Sequence, residues 1–165
     1  MIRKTVVFAA ALSCSFAAHG LDGVALELGY GEDSTRMLRV SIQDRWRREL
    51  RQGDDWRLAG YWDFALGVWD NPDDSTADIG VTPVFRFERE RMYVEAAIGA
   101  HLVQRRISAQ RVFSSSFQFG DHIGLGRRGR QYDLGVAFQH LSNGGIRRPN
   151  PGINFILLRL QYHLQ

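Results

Sequence analysis

Apolar and polar positions alternate along most of this chain. In the last segment Ile156, Leu158, Leu160, Tyr162 and Leu164 share one face, and Arg159, Gln161 and His163 take the other. Tyr132, Leu134, Val136 and Phe138 stand likewise against Gln131, Asp133, Gly135, Ala137 and Gln139. Met92, Val94, Ala96, Ile98 and Leu102 oppose Tyr93, Glu95, Gly99 and His101, and Ile79, Val81, Pro83, Phe85 and Phe87 oppose Thr82, Arg86 and Glu88. A period of two belongs to the β-strand. Eight such segments are predicted, near 23–30, 35–46, 56–69, 78–88, 91–102, 117–127, 130–142 and 153–164. Turn-forming Gly, Asp, Asn, Pro and Ser fill the connections near 31–34, 70–77, 103–116 and 143–152.

The two faces differ in kind. One is large and apolar; the other is rich in Gly and Ala and carries ionisable residues that can pair, such as Glu95 with an Arg. A soluble sandwich also alternates, but its polar face meets water and accepts long charged side chains freely. A soluble barrel holding a lipophilic ligand needs an apolar lumen, whereas this phase puts Arg86, Glu95, Arg159 and Gln161 inside. The pattern therefore predicts an all-β fold, an eight-stranded antiparallel transmembrane β-barrel with a lumen filled by side chains. An even strand count puts both termini on the periplasmic side and four longer loops outside. Trp46, Trp56, Trp62, Tyr30 and Tyr162 are candidates for interfacial girdles. The chain ends Leu164-Gln165 rather than on the aromatic residue common in such barrels.

Composition narrows this further. The 165 residues suit one domain, and no apolar run after residue 20 is long enough for a spanning helix. Residues 1–20 read as a secretory signal peptide: Arg3 and Lys4 lead, Thr5 to Phe16 is mostly apolar, and Ala18-His19-Gly20 offers a cleavage site before the barrel at 21–165. Cys14, the only cysteine, lies inside that segment, so the mature chain has no thiol for a disulfide or a metal. Loss of Arg3 and Lys4 lowers the formal charge from +3 to +1, which removes the argument for a nucleic-acid partner. Every remaining cation is Arg, suited to bidentate contact with carboxylate or phosphate. No metal-ligand spacing, nucleotide loop or redox motif is present, so no cofactor is expected. His101 and His122 have lumen-facing phase.

Candidate chemistry falls between Phe138 and Asn154, at the top of the last hairpin. His140 and Ser142 continue the apolar phase of Tyr132 to Phe138, and Asn154 continues that of Leu160 to Ile156. All three polar residues thus point outward near the rim, where a hairpin register can set Asn154 beside His140 or Ser142. Polar groups turned to lipid are expensive and mark function. A histidine and a serine two residues apart on one strand face can act as base and nucleophile.

His140-Leu141-Ser142-Asn143-Gly144, leading to Pro149-Asn150-Pro151-Gly152-Ile153, resembles the active-site hairpin of the PagL-type lipid A 3-O-deacylases. Gly60-Tyr61-Trp62-Asp63, Pro83-Val84-Phe85, Val94-Glu95-Ala96 with Ile98-Gly99, and Asp121 with Ile123-Gly124 extend the likeness over most of the mature chain. The resemblance implies a barrel in the Gram-negative cell outer membrane whose site faces the bilayer and removes an ester-linked acyl chain from lipid A of lipopolysaccharide. It makes Ser142 the nucleophile and His140 the general base. Asn143, with a backbone N–H of Gly144 or Gly145, becomes the oxyanion donor, and Asn150 holds the loop or assists. Arg147 and Arg148 are candidates for contact with lipid A phosphates. A homodimer is left open.

The family's third member is a glutamate where this chain has Asn154. A neutral partner can orient an imidazole, yet replacing a triad's acid can cost about four orders of magnitude. A barrel that kept the fold and lost activity, structural or lipid-binding, is the alternative. Asp121 also has outward phase. With a tight turn near Arg128-Gly129 it would pair with Val136, roughly 13 Å below His140 at ~3.3 Å per residue, so it is set aside as the acid.

Overall fold

The computed structural model describes residues 21–72, 74–104 and 112–164. The expected signal segment with Cys14, and residues 105–111 of one connection, lie outside them. Among the described residues nine strands follow in order: β1 (Gly23–Gly31), β2 (Arg36–Arg45), β3 (Arg51–Gln52), β4 (Trp56–Asp70), β5 (Ser75–Arg89), β6 (Met92–Val103), β7 (Phe117–Arg128), β8 (Tyr132–Ser142) and β9 (Ile153–His163). A 3₁₀ turn, Glu32–Ser34, joins β1 to β2. Each long strand pairs antiparallel with its chain neighbour, β1 pairs β9, and β2 pairs β4. Those pairings close eight long strands into a barrel, as the alternation predicts. β3 is a two-residue addition paired to the start of β4.

The loops depart from expectation. At the end carrying residues 140–154, only 104–116 and 143–152 are long; the connections after β1 and β4 span 32–35 and 71–74. The opposite end carries 46–55, as long as 143–152.

Strand phase sorts the two faces as read from the sequence. Leu28, Val68, Ile98, Leu125, Leu134 and Ile156 stand on the exposed outer wall. Arg86, Glu95, Arg159 and Gln161 are buried inside, as is His101; His122 Nε2 also points inward, 3.6 Å from Glu95 Oε1. The interior charges are partnered. Arg86 donates to Glu95 (2.8 Å), Asp133 (2.9 Å) and Gln161 (2.8 Å), and its guanidinium lies 4.0 Å from the Tyr93 ring centre. Arg159 bonds Glu95 and Asp63, and Arg39 bonds Glu27, Asp78 and Gln139. Removing one member of such a set leaves its partners buried and unpaired, which typically costs about 3–5 kcal/mol. The set therefore favours one register over its alternatives.

Toward the 140–154 end an apolar cluster forms in the lumen beside the buried Asp78, His101 and Gln118. Trp69, Phe155, Leu141, Ile153 and Leu157 pack together there, with Trp69 and Phe155 ring centres 5.1 Å apart. This plug backs the end of β8 and the start of β9, behind whatever those strands present outside. An aromatic band rings the far end: Trp46 lies against Trp62 and Phe85, Trp56 stacks on Phe87, and Tyr132 meets Tyr162. Of the girdle residues predicted, Tyr30 alone sits at the other end, exposed.

One register differs. β7 and β8 pair so that Asp121 faces His140, not Val136. The turn closes with Arg128 opposite Asp133, which sets every partner on β8 four residues later than a tight turn at 128–129 requires. Asp121 is therefore a direct cross-strand neighbour of the imidazole, and the 13 Å separation expected from the sequence is wrong.

Candidate active site

His140 and Ser142 come from the last turn of β8, and Asn154 from the start of β9, where Asn154 is the cross-strand partner of His140. All three side chains are half-buried on the outward phase, between the exposed Phe138 and Ile156 and the loop above. The outward direction follows from the neighbours: Leu141, Ile153 and Phe155 fill the apolar plug, so the residues alternating with them face away.

His140 Nδ1 lies 2.7 Å from Asn154 Oδ1, a short bond that holds the ring. Ser142 follows two residues later on the same face, ~6.6 Å along the strand. No direct hydrogen bond joins His140 to Ser142; such bonds commonly tighten only when substrate is bound. The Gly144 N–H points at Ser142 Oγ from 3.4 Å. Gly152 carries φ +58, and a Cβ there would lie 2.8 Å from His140 Cε1, so only glycine lets the loop return this close to the ring.

Asn143 occupies a different place from the one the resemblance implies. It is 1% exposed, on the inner phase. Its amide donates to Ser114 Oγ and to the Arg147 carbonyl, both at 2.9 Å, and its side-chain oxygen accepts the Gly145 N–H at 2.9 Å. Asn150 Oδ1 accepts the Asn143 backbone N–H at 3.0 Å. Both asparagines thus knit the 143–152 loop. With Gly145 N–H already bound, Gly144 N–H is the group left aimed at the serine, and its φ of +62 suits glycine. Arg147 and Arg148 stand exposed in the loop over the site.

Two neighbours were not singled out in the sequence. Ser114, from the connection before β7, anchors Asn143. Glu32, from the β1–β2 turn, accepts from Asn154: Nδ2 to Oε1 at 3.1 Å and the backbone N–H to Oε2 at 3.3 Å. Neither shares a motif with the hairpin, and Glu32 lies outside the strand alternation that guided the reading.

Comparison with known proteins adds to this geometry. The model of the family described as lipid A 3-O-deacylase (PagL) matches residues 36–163. Lipid A deacylase PagL of Bordetella bronchiseptica is 33% identical, over 95% of this chain and 92% of its own. Lipid A deacylase PagL of Pseudomonas aeruginosa is 29% identical, over 89% of each. Among solved structures, the crystal structure of the outer membrane enzyme PagL superposes with a TM-score of 0.78 at 28% identity, covering 86% of this chain and 99% of that one. A de novo designed transmembrane β-barrel matches at a TM-score of 0.56 and 13% identity, a likeness of fold alone.

Proposed function

This chain belongs to the PagL family of lipid A 3-O-deacylases, and on that premise we propose that it is an outer-membrane esterase removing the 3-O-linked acyl chain of lipid A. The observation that carries the reading is the outward-facing group on the apolar wall: Ser142 on the same strand face as His140, whose ring Asn154 holds at 2.7 Å. A glycolipid in the outer leaflet can bring an acyl ester to that height without leaving the membrane.

In this reading Ser142 Oγ attacks the ester carbonyl carbon while His140 Nε2 takes the hydroxyl proton. The carbonyl oxygen becomes an oxyanion that accepts from Gly144 N–H, a fixed donor of the kind worth about 3 kcal/mol. Collapse breaks the bond to the sugar oxygen, which leaves with the proton from His140. Water, deprotonated by the same imidazole, then cleaves the acyl-serine ester and releases a 3-hydroxy fatty acid. Asn143 and Asn150 shape the loop that presents Gly144. In the same reading Arg147 and Arg148, exposed in the loop above the site, meet lipid A phosphates by bidentate contact. Export by cleavage of residues 1–20 belongs to the same proposal. A homodimer finds no support in the fold or in these relatives.

Mass spectrometry of lipid A from cells with and without the protein tests this directly. The expected result is loss of one 3-hydroxyacyl chain when the protein is produced. An unchanged spectrum at high expression would favour a barrel that kept the fold and lost the chemistry.

A further inference from the structure

The Glu32 carboxylate touches Asn154, and Asn154 touches His140. We propose that Glu32 is a positioning residue that, through Asn154, fixes His140 in the tautomer a general base requires; the inference rests on the esterase reading above.

The argument is one of donors and acceptors. An ionised carboxylate can only accept. Its bond with Asn154 Nδ2 therefore turns the amide NH₂ toward Glu32 and the amide oxygen toward the imidazole. That oxygen can only accept as well, so His140 Nδ1 carries the proton and Nε2 keeps the lone pair. Nε2 is the nitrogen that must take the serine proton.

An asparagine alone does not enforce this. Flipped, it would present N–H to Nδ1, move the ring proton to Nε2 and remove the base. Beside Glu32 the flip would set amide oxygen against carboxylate oxygen. The second bond, from the Asn154 backbone N–H to Glu32 Oε2, ties the same carboxylate to β9. The acid missing from the third position thus stands one residue further out and arrives on another loop.

The fold supplies it through barrel closure. β1 pairs with β9 through its last residue, Gly31 opposite Phe155, so the next position along each chain brings Glu32 to Asn154. The turn that follows holds Asp33 and Ser34 at φ 55 and 58, a region that non-glycine residues seldom occupy unless their surroundings demand it. Asp121, across β7 from His140, makes no hydrogen bond to the ring, so Nδ1 is governed from the β9 side.

The test uses the full chain, purified in detergent, with fatty-acid release from lipid A as the readout. Glu32→Gln, which lets Asn154 turn either way, is expected to lower kcat about 10- to 100-fold, the range known for losing the hydrogen-bond partner that orients a metal-bound histidine, with KM within twofold. Asn154→Glu placed on the Glu32→Gln background should restore kcat, because a carboxylate then accepts directly from Nδ1–H. A merely structural Glu32 would show no such rescue. Glu32→Ala on an Asn154→Ala background should cost less than twofold further. Wild-type kcat in folded Glu32→Gln, failure of the rescue, or a full additional loss on the Asn154→Ala background would each overturn the proposal. Ser142→Ala separates the two readings: if it is inactive while Glu32→Gln matches wild type, only the role of Glu32 falls. If Ser142→Ala stays active, the esterase reading falls too.

Discussion

Ser142→Ala is expected to lower acyl release from lipid A by about 10⁴- to 10⁶-fold, the range seen when a serine hydrolase loses its nucleophile. The barrel should survive the change. Ser142 is half-buried, accepts a single long bond from Gly144 N–H, and contributes nothing to the interior network. Folding can therefore be scored separately, by the mobility of unheated protein on a denaturing gel, and should match wild type. The size of the loss follows from chemistry: without the hydroxyl no acyl-enzyme forms, and water must attack an ester held beside an apolar wall. Substantial release by a folded Ser142→Ala protein would show that the reaction uses another group.

Removing the base should cost as much as removing the nucleophile. His140→Ala leaves the serine proton without an acceptor, and a neutral hydroxyl is a poor nucleophile. The neighbours are poorly placed to replace it: Asn154 is an amide, and Asp121 pairs with residue 140, two register positions from the Phe119–Ser142 pair. His140→Ala is expected to reduce kcat by about 10⁴- to 10⁶-fold. The double variant Ser142→Ala/His140→Ala should be no slower than either single, because two residues acting as one unit lose their function together. Steady-state release from lipid A measures all three. Additive losses would mean that serine and histidine act in separate steps.

The barrel was legible because its signal is periodic. Long runs such as Tyr132 to Phe138 and Ile156 to Leu164 fix which face meets lipid, and that phase carries on to His140, Ser142 and Asn154. The family motif makes Asn143 an oxyanion donor, and the structure instead buries it with its amide tying the loop, a placement that depends on the fold of residues 143–152. Registers are another matter. Pairing Asp121 with His140 instead of Val136 shifts β8 by an even number of residues, so both alternatives keep the apolar faces together. Only the turn geometry at 129–131 decides between them. Glu32 was hidden for a different reason. It lies 122 residues from Asn154, and only closure of β1 on β9 brings them together.

Chemical labelling tests the central claim most directly. A long-chain alkylsulfonyl fluoride partitions into detergent micelles, presents an electrophilic sulfur at the depth of an acyl ester, and loses fluoride to an activated hydroxyl. Peptide mass mapping of the treated protein should find one sulfonate ester, on Ser142, with activity lost in proportion and no adduct in His140→Ala. Inactivation with the adduct on a different residue, or full activity with Ser142 labelled, would contradict an account in which this serine does its work facing the lipid.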